Sequence, residues 1–378
     1  MKKLLFITTW DFTDGPSVGI TKKIKAQIKA FQNNGFDVTY TYISNNVFYV
    51  CENNHPMALG KVGKLRKLIA NYYLYQYTQN KKYPFVYSRY GLADLFYFKV
   101  LKQLYKNGSV NIIEIPTYPY DEERLPGIKW WLLYALDKLW RDKMHPYVYR
   151  IATYSRDKII FNIPTIEVKN GIDFDMVTVR MPEEGGDVIH MLAVAGFTKA
   201  HGYDRMLVGL GKYYQNGGTR KVVFHLVGAG EPENQYRNIV QKYRIEEHCV
   251  FHGVKRGQEL DQVYNYCDLG VESLGDFRNG IKISSSLKSR EYVAKGLPFI
   301  TACKSDIFED EEYILQIPAD ESPVNISDIV NFYDRLYNGK SKVSIACKIR
   351  KETMAKCDII QTMKPIVECF KEIDGSER

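Results

Sequence analysis

Two segments of the chain combine small residues with basic side chains in a pattern that suits phosphate binding. They are GFTKAHG at 196–202 and KISSSLKSRE at 282–291. Backbone N–H groups at the start of a helix attract anions, so loops of this kind at a sheet edge favour a diphosphate. Four basic residues in or near these loops can supply side-chain cations: Lys199, His201, Arg278 and Lys288. The alternative is that both segments are ordinary strand-to-helix connections, where glycine and serine are common.

Glu291 is the acidic residue most suitably spaced for a role beside these cations. It lies one helical turn after Lys288 in LKSREYVAKG (287–296). A carboxylate at this position can accept hydrogen bonds from a sugar or ribose hydroxyl. It can equally form an i,i+3 ion pair with Lys288, which would make it structural.

The loop PTYPYDEER at 116–124 is a candidate site for a second, sugar-like substrate. Tyr118 and Tyr120 can stack on a sugar ring, and Glu123 or its acidic neighbours can accept hydrogen bonds from hydroxyls. Arg89 ends another predicted strand in VYSRYG (86–91) and can face the same substrate. The alternative is a proline-rich turn with exposed acids.

Neither a metal ion nor a cofactor is predicted. The triplet DFD at 173–175 is of the type that binds a metal–nucleotide complex, but nearby cations and helix termini make a metal unnecessary. No H-E-x-x-H motif is present, and the seven cysteines contain no C-x-x-C pair. The cysteine pattern also favours a reducing cytosol over a disulfide framework.

The elements that must position these residues alternate between strand and helix. Strands are predicted at 3–9, 37–43, 111–115, 188–195 and 221–227, and amphipathic helices follow several of them. This alternation predicts an α/β fold with doubly wound parallel sheets. A chain of 378 residues is long enough for two domains. We expect one at 1–170, a second at 171–350, and a C-terminal helix at 351–378 that packs back toward the first.

Positive charge is concentrated in the first half of the chain. Residues 1–174 hold 25 Lys and Arg against 14 Asp and Glu, with basic and aromatic residues interleaved at 64–83 and 128–150. Such helices suit an anionic membrane surface, although a buried helix with a solvated rim would show the same composition. No nucleic-acid motif accompanies the charge, and no apolar stretch of membrane-spanning length is present. We therefore predict a cytoplasmic protein that associates peripherally with the inner face of the plasma membrane.

Six segments resemble the retaining nucleotide-sugar glycosyltransferases of family 4. They are GPSVGI (15–20), VKNGID (168–173), GFTKAHGYDRML (196–207), HLVGAGEPEN (225–234), VFHGVKRGQELDQVYNYCDLGV (250–271) and LKSREYVAKGLPFI (287–300). The resemblance covers nearly the whole chain, and it implies the GT-B architecture of two Rossmann-like doubly wound domains that face a cleft. A branch similar to polysaccharide-assembly enzymes fits better than the common family pattern.

The resemblance implies site residues in both domains. The last segment resembles the one in which a glutamate holds the donor's ribose, and that role falls on Glu291. The implied donor-binding residues are Gly19, Gly196, Lys199, His201, Gly228, Arg278, Ser286, Lys288 and Glu291, of which His201, Lys288 and Glu291 would serve catalysis. The implied acceptor-binding residues are Arg89, Tyr118, Tyr120 and Glu123. The chain departs from the family at Ile283, where a glutamate is usual, and at Phe197 and His201, where an arginine and a lysine bind phosphate.

The implied activity is transfer of a hexosyl or related group from a nucleotide diphosphate sugar to a hydroxyl of a glycan or lipid-linked acceptor, with retention of configuration. Its setting would be the synthesis of a bacterial capsule, exopolysaccharide or O-antigen. Two alternatives stay open: a nucleotide-sugar 2-epimerase of the same architecture, and a sugar-nucleotide-binding subunit without turnover. Ile283 and Phe197 keep the second alternative open.

Overall fold

The computed structural model describes residues 2–13, 18–120 and 128–376. The chain divides into two compact units, the first formed by Met1–Lys169 with Ile359–Arg378 and the second by Asn170–Asp358. Each unit contains a largely parallel sheet with its own buried core, so the predicted α/β fold is confirmed. No helix within the described ranges is both long and apolar enough to cross a membrane.

Unit 1 is built on a nine-stranded sheet in the order β4-β3-β2-β1-β5-β6-β7-β9-β8. Its centre is parallel, from β2 through β1, β5, β6 and β7 to β9. The first elements are β1 (Lys2–Ile7), α1 (Val18–Asn33), β2 (Phe36–Ser44), β3 (Val47–Glu52), β4 (His55–Lys61), α2 (Arg66–Thr78) and β5 (Phe85–Arg89). They continue with α3 (Leu95–Lys106), β6 (Val110–Ile115), α4 (Ile128–Arg141), β7 (Arg150–Thr153), β8 (Ile159–Ile160) and β9 (Ile163–Glu167).

The antiparallel edge formed by β3 and β4 is not predicted from the sequence. Two Asn-Asn pairs make its turns, at 45–46 between β2 and β3 and at 53–54 between β3 and β4, and all four asparagines have positive φ. Asparagine tolerates this left-handed conformation, and paired positive φ values fit the twist of two-residue hairpins. The repeated Asn-Asn pair was therefore a readable hairpin signal.

Unit 2 is built on a six-stranded parallel sheet in the order β12-β11-β10-β13-β15-β17. Its elements begin with β10 (Ile189–Phe197), α5 (Tyr203–Gln215), β11 (Val222–Gly230), α6 (Glu233–Tyr243), β12 (Cys249–Gly253), α7 (Gly257–Tyr266) and β13 (Leu269–Val271). They continue with β14 (Ile283–Ser284), α8 (Leu287–Lys295), β15 (Phe299–Thr301), β16 (Lys304–Ser305), β17 (Ile314–Gln316), α9 (Ile326–Tyr337) and α10 (Lys342–Cys357). The strand order reverses between β10 and β13, so the topological switch point lies there.

The C-terminal tail joins unit 1 later than the sequence suggests. The sequence analysis predicts the end of the second domain at residue 350, whereas α10 continues to Cys357, which is buried in the core of unit 2. The chain then forms α11 (Ile359–Thr362) and α12 (Lys364–Ser376). Ile366 and Phe370 are buried in the core of unit 1. The crossing lies between residues 358 and 359 because the apolar residues on its two sides belong to different cores.

Candidate functional site

The first predicted phosphate-binding loop of unit 2, 196–202, meets the connection that leads from β13 to the second predicted loop, 282–291, at the switch point of the sheet. The loop after β10 and the loop after β13 are joined by backbone hydrogen bonds from Leu274 N to His201 O (2.8 Å) and from Gly275 N to Ala200 O (3.1 Å). Gly202 allows this approach, because a Cβ there would lie 2.6 Å from the Gly275 nitrogen and its φ is +62°. Ligands of open parallel sheets bind at such a position.

Lys288 lies at the centre of the polar groups collected at this edge. Its ammonium donates hydrogen bonds to Ser273 Oγ (3.1 Å) and Tyr203 Oη (3.3 Å), and lies 4.0 Å from Glu272 Oε1. Ser286 accepts from Lys288 N (3.1 Å) as the N-cap of α8 and donates to the same glutamate. We call Tyr203, Glu272, Ser273, Ser286 and Lys288 the Lys288 cluster.

The charges of the Lys288 cluster are set by burial and by one another. Burial alone would raise the pKa of Glu272, but Lys288 and hydrogen bonds from Ser286 and Ser273 N outweigh it, so the pKa is lowered. Burial lowers the pKa of Lys288, while the carboxylates of Glu272 and Asp276 act in the opposite direction. The positive end of α8 and the ammonium therefore converge on one place, which can stabilise an anion.

Asp276 lies in the same loop as Glu272. Its burial, followed by repulsion from Glu272, raises its pKa to about 6. A carboxyl group with this pKa is partly protonated near neutral pH, so it can both donate and accept hydrogen bonds.

The surroundings of His201 favour its neutral form, which differs from the cation that the sequence suggests at this position. Burial and the nearby Lys288 lower its pKa to about 4. The backbone N–H of Thr198 donates to His201 Nδ1 (3.0 Å), so the proton of the neutral ring belongs on Nε2. His201 can therefore donate one hydrogen bond to an anion at neutral pH, without carrying a charge.

Arg278 forms ion pairs within the protein. Its guanidinium contacts Asp204 (2.8 Å) and Glu321 (2.6 Å), and it donates to the backbone oxygen of Lys199 (2.7 Å). The hydrogen bonds that Arg278 donates to these two acids raise its pKa above the usual value. The structure thus ties Arg278 to the turn at 199–201, and its predicted contact with a diphosphate stays a prediction, as does that of the exposed Lys199.

Two of the three predicted glycines, Gly196 and Gly228, lie at the same sheet edge. Gly196 is the penultimate residue of β10, and an added Cβ there would meet no atom within 4 Å. Gly228 has a φ of +135°, and a Cβ would lie 1.8 Å from the Ala195 oxygen on the paired strand. Gly19 is the second residue of α1 in unit 1 and is exposed. Phe197, at the family's arginine position, is buried against Tyr203 and Tyr236.

Glu291 lies in the second turn of α8. Burial raises the pKa of Tyr264 on α7, and the negative charge of Glu291 raises it further. The Glu291 carboxylate therefore lies near α7. The carboxylate that faces Lys288 is Glu272, a residue the sequence analysis did not identify. An acidic residue directly after the short apolar strand DLGV (268–271) was the available signal.

The structure describes three of the four predicted acceptor-binding residues of unit 1, and their surroundings differ. Tyr120 is buried, and its hydroxyl donates to Asp137 Oδ2 (2.6 Å), so it cannot stack on a sugar as expected. Tyr118 is half-buried with its ring against Phe161, and Glu123 lies outside the described residues. Arg89 ends β5, as predicted, and contacts the buried carboxylate of Glu114 (2.7 Å).

Over residues 2–13, 18–120 and 128–376, no group of three or more His, Cys, Asp or Glu side chains could hold a metal ion. Asp173, the first acid of the DFD triplet, accepts a hydrogen bond from Asp175 N (3.1 Å) in a short helical turn. The predicted independence from metals and cofactors stays a prediction.

Comparisons with known proteins identify the fold. No protein-family profile matches the chain, and no curated sequence matches it. Sucrose-phosphate synthase from Thermosynechococcus elongatus is similar over 100% of both chains, with a TM-score of 0.65 and 13% identity. A glycosyltransferase from Rickettsia africae is similar over 98% of both chains (TM-score 0.65, 12% identity). HepE from Anabaena, solved with UDP and glucose, is similar over 98% of this chain and 100% of its own (TM-score 0.63, 11% identity).

These neighbours are glycosyltransferases of the GT-B fold, and the present chain has that fold, with two Rossmann-like units. The predicted fold class is thereby confirmed. At 11 to 13% identity the likeness concerns the fold.

Proposed function

We propose that the protein is a glycosyltransferase that takes its sugar from a nucleotide diphosphate donor. The observation that carries this proposal is the Lys288 cluster, in which an ammonium and the N-terminus of α8 meet at the switch point of a Rossmann-like sheet. HepE, a structural neighbour of the same fold, was solved with UDP and with UDP-glucose. UDP sugars are therefore the first donors to test.

The reaction needs a diphosphate that leaves with a developing negative charge. In the proposed site, Lys288 supplies a positive charge, the first turn of α8 supplies backbone N–H groups, and His201 Nε2 supplies a neutral donor. Groups fixed in advance around a leaving anion lower the barrier, and loss of one such donor can cost about 10²–10³ in rate. Glu291 is assigned to the donor's ribose, as its resemblance to the family implies.

The finer parts of the proposal rest on the sequence resemblance. They are family 4, retention of the anomeric configuration, a glycan or lipid-linked acceptor, and a role in bacterial surface polysaccharide synthesis. Unit 1 receives the acceptor in this proposal. The exposed apolar side chains of α4, among them Trp131 and Leu132, support attachment to the inner face of an anionic membrane.

Thermal unfolding of the full chain with a panel of nucleotide sugars tests the donor. A ligand at about 100 times its Kd adds about 2.7 kcal/mol to the free energy of unfolding. Calorimetry with Glu291→Gln should then show at least about tenfold weaker donor binding, because hydrogen bonds to a charged group contribute roughly 1.5–3 kcal/mol. Glu259→Gln, on the exposed face of α7, is the matched control.

Turnover separates the proposal from its alternatives. A glycosyltransferase releases the nucleotide diphosphate when an acceptor is added, and NMR of the product reports its anomeric configuration. Conversion of the nucleotide sugar without any acceptor would indicate an epimerase. Tight binding without turnover on a broad panel of acceptors would indicate a binding subunit.

A further inference from the structure

A second polar cluster lies at the corresponding edge of the sheet of unit 1. Glu114, the penultimate residue of β6, is completely buried. It accepts hydrogen bonds from Lys23 Nζ (3.2 Å), Arg89 Nη1 (2.7 Å) and Tyr154 Oη (2.9 Å). Gln27 and Tyr87 donate to its other oxygen. We call these residues the Glu114 cluster.

The strand order places this cluster where a ligand is expected. Arg89 ends β5, Tyr154 directly follows β7, and Lys23 lies on α1, the helix after β1. The strands on the two sides of β1 are β2 and β5, so the order of unit 1 reverses beside β1. Open parallel sheets bind ligands at the carboxyl ends of strands near such a reversal.

The Glu114 cluster holds two cations and one carboxylate. Burial by itself would raise the pKa of Glu114, but Lys23 and Arg89 lower it to about 2, so the carboxylate is ionised. The side chains of Lys23 and Arg89 are only 5% and 9% exposed. Among the residues that the structure describes, one positive charge is therefore left without a counter-charge in a nearly buried position, and such a charge is costly until an anion pairs with it.

Arg89 has hydrogen-bonding capacity to spare. A guanidinium carries five N–H donors. Within the described part of the chain, the Arg89 guanidinium uses Nη1 to form a hydrogen bond and an ion pair with Glu114 Oε1. The remaining donors of this nearly buried side chain can make the bidentate contact that guanidinium groups form with phosphate and carboxylate.

We propose that Lys23 and Arg89 bind an anionic oxygen group, a phosphate or a carboxylate, carried by the acceptor. The assignment of this anion to the acceptor rests on the proposed function. The anion site itself can be tested without any donor. It makes the acceptor a sugar phosphate, a phosphate-linked lipid sugar or a uronic acid glycan. Glu114 orients the two cations and, being ionised and fully hydrogen-bonded, is a positioning residue.

Calorimetry and ligand-observed NMR on the full chain, without nucleotide, test the site with three probes. They are glucose 1-phosphate, glucuronate and neutral glucose. At least one anionic probe should bind at least tenfold more tightly than glucose, and Arg89→Gln should remove that preference. Lys22→Gln, a neighbouring exposed lysine, should keep it. Preference for one anionic probe identifies the phosphate or the carboxylate class, and equal binding of all three probes overturns the proposal.

A measurement on the unaltered protein covers the case in which Arg89→Gln fails to fold. Burial, with repulsion from Arg89, lowers the pKa of Lys23 to about 8 despite the attraction of Glu114. The pKa of Tyr154, the other titratable group against Lys23, is raised well above its usual value, so it stays protonated. Binding of the anionic probe that the protein prefers should therefore take up about half a proton at pH 8, measured in buffers of different ionisation enthalpy. No proton uptake overturns the proposal.

The outcomes separate this site from the proposed function. A protein that binds anions through Arg89 but neither binds nor turns over any nucleotide sugar keeps the anion site and loses the glycosyltransferase assignment. A protein that transfers sugar but shows no preference for anionic probes keeps the assignment and loses the site.

Discussion

Lys288 is the residue whose contacts lead most directly to a binding prediction. Lys288→Ala should weaken UDP about 10- to 100-fold while the affinity for uridine changes little, because the lost charge-assisted hydrogen bonds act on the diphosphate. Titration calorimetry with both ligands measures the difference. Equal losses for UDP and uridine would mean that the lysine only supports the fold.

Removal of Lys288 alone also leaves Glu272 buried beside Ser273 and Ser286 without its cation. Breaking a buried pair in this way can cost about 3 kcal/mol of folding stability. The double variant Lys288→Met with Glu272→Gln restores local neutrality. It should recover most of the stability, measured by urea unfolding, and still bind UDP weakly.

At the scale of elements, α4 presents an apolar face without a partner among the described residues. Trp131 and Leu132 are 68% and 54% exposed, and Leu136 and Leu139 continue the face at helical spacing. The opposite side of α4 is fixed by Asp137, which is buried and accepts from Tyr120 Oη and Ala93 N. Trp140 packs on Phe98 and is part of the core.

The exposed face predicts a specific defect in membrane binding. Trp131→Ser with Leu132→Ser should reduce binding to anionic liposomes at least tenfold, since each large apolar side chain contributes roughly 1.5–3 kcal/mol on burial. UDP affinity should not change. Met176→Ser, a 78% exposed residue of unit 2, is the control. Co-sedimentation at several salt concentrations measures binding, and failure of the unaltered protein to bind anionic liposomes would contradict the membrane proposal.

Three adjacent strands of unit 2 carry a chain of hydrogen-bonded histidines. His190 Nδ1 lies 2.9 Å from His225 Nε2, and His225 Nδ1 lies 3.0 Å from His252 Nε2. Burial, with repulsion from the other two rings, lowers the pKa of His225 to about 3. Below about pH 6, His225 is therefore protonated in the unfolded chain but stays neutral in the folded chain.

Stability should consequently fall as the pH drops. Uptake of one proton by the unfolded chain lowers the free energy of unfolding by about 1.4 kcal/mol for each pH unit between about pH 6 and pH 4. His225→Gln should flatten this slope in urea unfolding, whereas His55→Gln, at an exposed position of β4, should leave it unchanged. Identical slopes in the unaltered protein and His225→Gln would contradict the assignment.

At the scale of the whole molecule, the chain returns to unit 1 through α11 and α12. Phe370 is fully buried in that core, against Phe31, Phe36 and Phe85. Phe370→Ala should lower the free energy of unfolding of unit 1 by about 3–5 kcal/mol, the usual effect of truncating a buried aromatic residue. The folded protein should bind UDP with unchanged affinity, because the proposed donor site belongs to unit 2.

Chemical denaturation and calorimetry of the same Phe370→Ala preparation check both parts of this prediction. Lys371→Ala, at the neighbouring exposed position, is the control. A Phe370 variant that is as stable as the unaltered protein would contradict the placement of α12 in the core of unit 1.

Local sequence patterns are sufficient to predict the fold class and the position of Lys288 near the start of a helix. Alternation of apolar strands with amphipathic helices is a short-range pattern, and so is a serine that caps a helix with a lysine in its first turn. Tertiary structure decided which groups meet. Lys288 faces Glu272 and Ser273 from another loop, and Lys23 contacts Tyr154, which is 131 residues away. Such contacts depend on the order of strands in the sheet and on which charges are buried together, and no local spacing encodes either.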